Sequence, residues 1–493
     1  MWLTVTVTLL SFLIYKLYLR LGPISRSIPL AGGISLRGRY DAMIAYATDP
    51  IGFLQRTEKE LGPVFQLDLL FFRFIFFMKL DGVVDVANCK EDEASFVQYV
   101  ALVLGKEVQK VIDYKDGHWF HSHITRYVRS GLLGPGRVNG YLSSMAGLAK
   151  SHFDTWAGHP EGVPIFESTS TLVFHHACHV MFGPAFVAKH QQELIKLCYD
   201  FVEGPLDWRI RCVPVWAWDV FEGGKRVNGA VRRLRVLLKD EIDALLEEGE
   251  EGGERRHDLM AFIIRQKEGK EAVDALPGLF LILIFALWAN TTPTLSWMLL
   301  HAKDSKSPIA SKWKEDIAAH PAIGERKPYI EACIRETGRL YGFLNSLRLT
   351  NKRRWIEVEG YKIPPGTAIT SSPAAATHHN PLYFDEPDKF RPERFLEADD
   401  GQRAIDLIRN GTFFQFGKGE HVCPGEKIFK GTAADLFLRS LLEDYEYEFI
   451  GLPAKEEGVG FDGVGVWPAW VDKNYGTAFG IGDVKIKLTR KKE

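Results

Sequence analysis

Residues 413–425 read Phe-Phe-Gln-Phe-Gly-Lys-Gly-Glu-His-Val-Cys-Pro-Gly, and an amphipathic helical pattern follows at once over 426–442. A cysteine set just ahead of a helix is constrained by electrostatics: the first helical amides have no intrahelical partner, so they point at the sulfur and favour a thiolate. Pro424 has no N–H, so one amide that could bond the sulfur is withheld. The other cysteines, Cys89, Cys178, Cys198, Cys212 and Cys333, lie far apart with no C-x-x-C pair. That leaves neither a disulfide framework nor a structural zinc site to read, and it fits a reducing compartment.

The second constraint is residues 276–300, an almost uncharged run broken by Asn290, Thr291, Thr292 and Pro293. A transmembrane span is one reading. The polar interruption and the want of matching spans favour a central buried helix. Pro293 cannot bond the carbonyl of Ala289, so a kink is expected there, with that carbonyl open to a hydroxyl or water. This puts a polar notch inside an apolar rod.

The remaining chain reads as mainly α with small β-sheets. Residues 63–70 and 74–78 are rich in strand formers around Phe72 and Arg73 and predict a hairpin. Residues 231–248 predict an amphipathic helix, and the glutamate- and glycine-rich 247–256 an exposed loop. With 46 % hydrophobic and 25 % charged residues in 493, the chain can bury a large core, and length alone leaves the domain count open. Lys plus Arg (61) nearly cancels Asp plus Glu (63), which removes the usual electrostatic basis for nucleic-acid binding. Residues 2–15 are uncharged and mostly apolar; extended through 17–19 past a snorkelling Lys16, they approach the ~20 residues a bilayer needs. Lys16, Arg20 and Arg26 follow the run and no small-x-small cleavage site does, so 1–22 is expected to be an uncleaved anchor with the rest facing the cytosol.

The loop matches the F-x-x-G-x-x-x-C-x-G signature and thus resembles the cytochrome P-450 superfamily, a resemblance that extends from the anchor to the C-terminal strands. It implies the fold of that superfamily, with 23–493 as one catalytic domain, and haem b held by Cys423 as the iron's thiolate ligand. It also gives Gly419 the tight turn, Gly425 the close approach of the helix to the porphyrin, and Phe416 the shielding of the sulfur. His421 stands where relatives often carry an arginine for a haem propionate. Arg348 matches a propionate-binding position suited to a guanidinium fork. Trp119 corresponds to a tryptophan near the propionates, with His123 in place of the usual basic residue and Arg126 as its substitute. Glu336, Arg339 and Arg394 match a buried triad that serves folding.

The resemblance also frames residues 287–293, where relatives commonly read A-G-x-D-T-T. Trp288 takes the small residue's place and Asn290 the acid's, so Thr291 and ordered water are left to carry protons, and the oxygen groove is expected to come from the Pro293 kink. Such a helix looks like the branch of sterol hydroxylases and prostacyclin synthase, which holds both oxygen-activating hydroxylases and an isomerase. Monooxygenation of an apolar small molecule, terpenoid or sterol-like, with O2 and electrons from an NADPH-dependent flavoprotein reductase is the favoured implication. A haem-thiolate isomerase or dehydratase and a non-catalytic haem protein are the alternatives. Membrane localisation at the endoplasmic reticulum follows by the same resemblance. Trp216 and Trp218 suit a membrane interface or an aromatic core, and Lys418, Lys427 and Lys430 a reductase or plain solvation.

Overall fold

The computed structural model describes residues 27–492 except 70–71, 105, 115–117, 133, 135–136, 207–214, 255, 343–345, 397–409, 414 and 453–483. The expected anchor over 1–22 lies outside the described residues. In chain order the helices that frame the site are α1 (Phe96–Leu104), α2 (His118–Leu132), α3 (Arg137–Ala157), α4 (Ile165–Leu206), α5 (Glu222–Glu254), α6 (Leu276–Ala302), α7 (Pro328–Tyr341) and α8 (Ala434–Asp444).

Strands β1 (Val64–Leu69) and β2 (Phe72–Phe77) form the expected antiparallel hairpin, with Val64 opposite Phe77 and Asp68 opposite Arg73. Phe72 and Arg73 belong to β2 and not to the turn. The reason is an ion pair: Arg73 Nη2 bonds Asp68 Oδ2 at 2.7 Å, and Arg39 Nη1 reaches the same oxygen at 3.1 Å. Two short strands, β3 (Ala94–Ser95) and β4 (Arg348–Thr350), and a fifth strand, β5 (Ala368–Ser371), complete a sheet of order β1-β2-β5-β4-β3, in which only β2 and β5 run parallel. In a second sheet β7 (Lys485–Arg490) lies between β6 (Tyr445–Ile450) and Val163–Pro164 and pairs antiparallel with both. The small hairpin Ile356–Val358 and Tyr361–Ile363 stands apart.

Helix α6 settles the reading of residues 276–300: it is a core helix. Its first half packs with α4 and α5 in one apolar cluster, and its second half packs with α7 and α8 in another. By length and hydropathy α6 and Ile165–Leu197 could each cross a membrane, but burial within the protein accounts for the apolar character of both. The helix continues through Pro293 because packed neighbours on either side hold it. Thr294 Oγ1 donates to Asn290 O at 2.7 Å, the carbonyl next to that of Ala289, which Pro293 leaves without its helical donor.

Helix α4 changes direction at Gly183, whose φ of 82° admits few residues but glycine. Arg256 Nη2 donates to Phe182 O at 2.7 Å beside that break. Trp218 is buried in the apolar cluster, which contradicts a membrane-interface role for its ring; Val220 and Phe221 beside it are exposed.

A histidine cluster lies where α3 meets α4. His152 Nε2 and His175 Nδ1 are 2.8 Å apart, and His176 Nε2 bonds Met145 O at 3.0 Å. Burial pushes His152 and His175 down to about 4 and His176 to about 3. Each is therefore neutral when folded but protonates near its ordinary value of about 6.5 when unfolded. Their contribution to stability is complete above that value and is lost as pH falls from about 6.5 toward 4, at up to about 1.4 kcal/mol per pH unit per group. Urea midpoints measured between pH 7.5 and 4.5 should fall steeply; a flat profile would contradict neutral burial.

Candidate active site

The loop before α8 is shaped by its glycines. Gly417 has φ 79°, and a Cβ there would sit 2.4 Å from His421 O, so no side chain fits. Gly419 has φ 64° and lies against Asn88, outside the cavity lining. Cys423 N donates to Phe416 O at 2.7 Å and closes the loop. Gln415 anchors it to α7: its Nε2 donates to Ile334 O at 3.1 Å, in space left open by Gly338.

Cys423 is exposed and faces a cavity of about 410 Å³, within the span usual for small-molecule sites. Though it opens on the cavity, the sulfur is screened from bulk solvent by the protein packed around it, and this desolvation raises its thiol pKa, while the amides of Gly425 and Glu426 point at the sulfur and lower it. These are the donors expected of a helix start, and Pro424 between them and the cysteine offers none. Across the cavity stands the open stretch of α6, with Ala286, Leu287, Ala289, Asn290, Thr291 and Pro293 on its wall.

Trp288 is the main departure from expectation. It does not line the cavity. Its ring is 2 % exposed, meets Phe166 edge-on at 6.3 Å, and its Nε1 donates to Ser170 Oγ on α4. On α6 the small residues at the cavity are Ala286 and Ala289, so the groove needs no proline kink to clear a tryptophan. Asn290 lines the cavity with its Nδ2 turned back to Ala286 O at 3.2 Å, and Thr291 lines it one residue on.

One edge of the cavity is polar. Arg348 is 4 % exposed, donates to Leu347 O at 2.9 Å and Ala87 O at 3.3 Å, and lies over the Phe96 ring; its Nε is buried with no partner among the described residues. Burial lowers its pKa, against the pull of Cys89 and Glu91. His421 Nε2 lies 3.5 Å from Glu91 Oε2, and its ring meets Phe96 at 5.8 Å. Glu91 is itself fixed by Ser95 Oγ and by the amides of Phe96 and Val97 at the start of α1. Sequence reasoning missed Glu91 and Phe96, since a glutamate in an acidic run carries no positional signal.

Trp119 is buried but does not line the cavity. It stacks on His123 at 5.5 Å, and its Nε1 is buried without a partner among the described residues. Arg126 does not stand in for a basic residue at 123: it pairs with Glu268 at 3.5 Å on the surface. Lys430 is likewise committed, to Glu426 at 2.7 Å and to Glu331, so it is not a free cation of the loop face; Lys427 is exposed.

Beneath the site, Glu336 accepts from Arg339 Nη2 at 2.8 Å and Nε at 2.9 Å, and from Arg394 Nε at 3.1 Å. Glu336 and Arg339 are fully buried, and Arg394 is 7 % exposed. Both arginines also donate to main-chain carbonyls, of His378, Pro387 and Asp385 among others, which ties the segment before the loop to α7.

The residues present fit a haem. A thiol with two converging amides opens on the cavity, and the orphaned Nε of Arg348, with His421, provides donors at one edge for carboxylates.

Comparison with known proteins agrees. The family model described as Cytochrome P450 matches residues 42–458. The chain is 26 % identical over 407 residues to cytochrome P450 monooxygenase pyvB of Aspergillus violaceofuscus, covering 82 % of this chain and 80 % of the relative. It is 24 % identical to cytochrome P450 monooxygenase pynD of Aspergillus niger, over 100 % of this chain and 99 % of the relative. The solved structure of a retinoic acid bound cyanobacterial CYP120A1 superposes with a TM-score of 0.66 at 17 % identity, covering 89 % of this chain and 94 % of that one. The proteins of that family are oxidoreductases that use haem, its iron held by a cysteine thiolate. With the mainly helical fold, the glycine-shaped cysteine loop and a match over most of its length, the chain belongs to the cytochrome P450 family.

Proposed function

We propose that this protein is a haem-thiolate monooxygenase that hydroxylates or otherwise oxidises an apolar small molecule, terpenoid or sterol-like, with Cys423 as the axial ligand. The observation that carries the reading is the open Cys423 sulfur with the Gly425 and Glu426 amides aimed at it, opposite Asn290 and Thr291 across one cavity. Bound haem supplies dioxygen activation and transfer of an oxygen atom to a C–H bond. Arg348 and His421 would hold its carboxylate edge, the buried Nε1 of Trp119 would be a further donor to it, and Phe416 and Gly425 would flank the sulfur. Asn290 offers an amide and no carboxyl, so Thr291 with ordered water would bring protons from the α6 side.

The apolar wall, including Val128, Leu132, Met181, Leu259 and Leu283, suits a substrate without charge. Residues 1–22 would anchor the protein in the endoplasmic reticulum membrane, with 23–493 as one cytosolic catalytic domain. Lys418 and Lys427 would meet an acidic NADPH-dependent flavoprotein reductase.

The test is product analysis by mass spectrometry in a host supplying a reductase. A product carrying one atom from isotopically labelled O2 is expected, and turnover that needs neither reductant nor O2 would move the assignment to an isomerase. A second expectation concerns the ligand itself. Pro424→Ala would add an N–H toward the sulfur, draw electron density from it, and raise the reduction potential by on the order of 50 mV, where 59 mV is tenfold for one electron. A potential unchanged or lowered would show that residue 424 does not tune the sulfur.

A further inference from the structure

Four rings without a role in the reading above lead away from the cavity as two stacked pairs, tilted against each other and joined by a hydrogen bond. Tyr341, the last residue of α7, lines the cavity wall. Its ring lies parallel to that of Trp297 on α6, with centroids 3.9 Å apart and 5° between planes. Its hydroxyl is 2.7 Å from Nε2 of His301, one turn further along α6. His301 in turn lies parallel to Phe390, with centroids 3.9 Å apart and 7° between planes. Trp297 is fully buried, whereas His301 and Phe390 are half-buried, so the stack runs from the cavity toward the surface.

The protonation states are set by burial. Desolvation raises the Tyr341 phenol above its ordinary value and pushes His301 down to about 3, which leaves a neutral phenol donating to a neutral imidazole. Phenols and indoles are the aromatic side chains that give up an electron most readily. A phenol that has lost an electron is a far stronger acid than an imidazolium, so its proton passes to the nitrogen it already touches. Packing alone asks for no hydroxyl at 341, because a phenylalanine would fill the same stack and need no partner.

We propose that Tyr341 is a one-electron donor to the oxidised haem site, with His301 as proton acceptor and Trp297 sharing the electron vacancy. The route drains oxidising equivalents when no substrate is in place. It rests on the haem-thiolate reading. A peracid is first reduced to its acid, leaving two oxidising equivalents at the haem site. Tyr341 then gives that site one electron and gives its hydroxyl proton to His301 Nε2: an O–H bond breaks, an N–H bond forms, and a neutral phenoxyl faces an imidazolium.

The test uses the haem-loaded full chain, mixed with a peracid without substrate, frozen within milliseconds and read by electron paramagnetic resonance. An organic radical is expected, narrowed when the protein carries ring-deuterated tyrosine, slower to appear in His301→Gln and lost in Tyr341→Phe. Tyr361→Phe, in the remote small hairpin, should leave it unchanged. A radical of equal size in Tyr341→Phe, one indifferent to deuterated tyrosine, or none from protein with its thiolate carbon-monoxide band intact overturns the proposal. A sample lacking that band overturns the haem-thiolate reading itself, and the proposal with it.

Discussion

Glu336→Ala is expected to yield little soluble, haem-loaded protein. The carboxylate is fully buried and accepts from two guanidinium groups and from the Arg391 amide at 2.9 Å. Removing it strands Arg339 and Arg394 as buried charges without their counter-ion. Breaking a buried pair in this way costs about 3–5 kcal/mol, a large share of the roughly 5–15 kcal/mol that holds a protein folded. Glu336→Gln, which keeps the shape and one acceptor but not the charge, should fall between. Soluble yield and melting temperature decide: a Glu336→Ala protein that melts within a degree or two of wild type would show the triad to be dispensable. Glu386→Ala, at the exposed Lys389 pair, serves as the control that should do almost nothing.

Cys423→Ser is expected to separate folding from chemistry. The loop is held by main-chain contacts, by Gly417 and Gly419, and by Gln415 on Ile334, none of which needs the sulfur. The serine protein should therefore fold with a melting temperature close to that of apo wild type. Without a thiolate to push electron density onto iron, oxygenation of substrate should drop to background. Full activity in the serine variant would remove Cys423 from the mechanism, whereas a variant that fails to fold would give the sulfur a structural role that the contacts do not show.

The site was legible in the sequence where short-range rules apply. The cysteine loop has fixed spacing and glycines with mechanical duties, and the Glu336–Arg339 spacing of three put both ends on one helix face. Arg348, which the resemblance assigns to a haem propionate, lines the cavity, and the burial of residues 276–300 is foreshadowed by their polar interruption. What failed depended on which way a side chain points. In α6 both faces are apolar, so nothing in the sequence distinguishes a tryptophan facing the cavity from one facing Ser170, and Trp288 was misread for that reason. Arg126, expected near a propionate, and Lys430, expected at a reductase contact or in solvent, each pair with an acid distant in sequence, Glu268 and Glu331. Glu91 and Phe96 reach the site because β3 pairs with β4, a long-range event that local patterns do not report.

The most direct measurement is the reduced, carbon-monoxide difference spectrum of purified protein expressed with ample haem precursor. The red-shifted band from which the cytochrome P-450 superfamily takes its name is expected in wild type and absent in Cys423→Ser. A colourless protein, or an unshifted band typical of iron without a thiolate, would contradict the assignment of the sulfur at residue 423 as the iron's ligand.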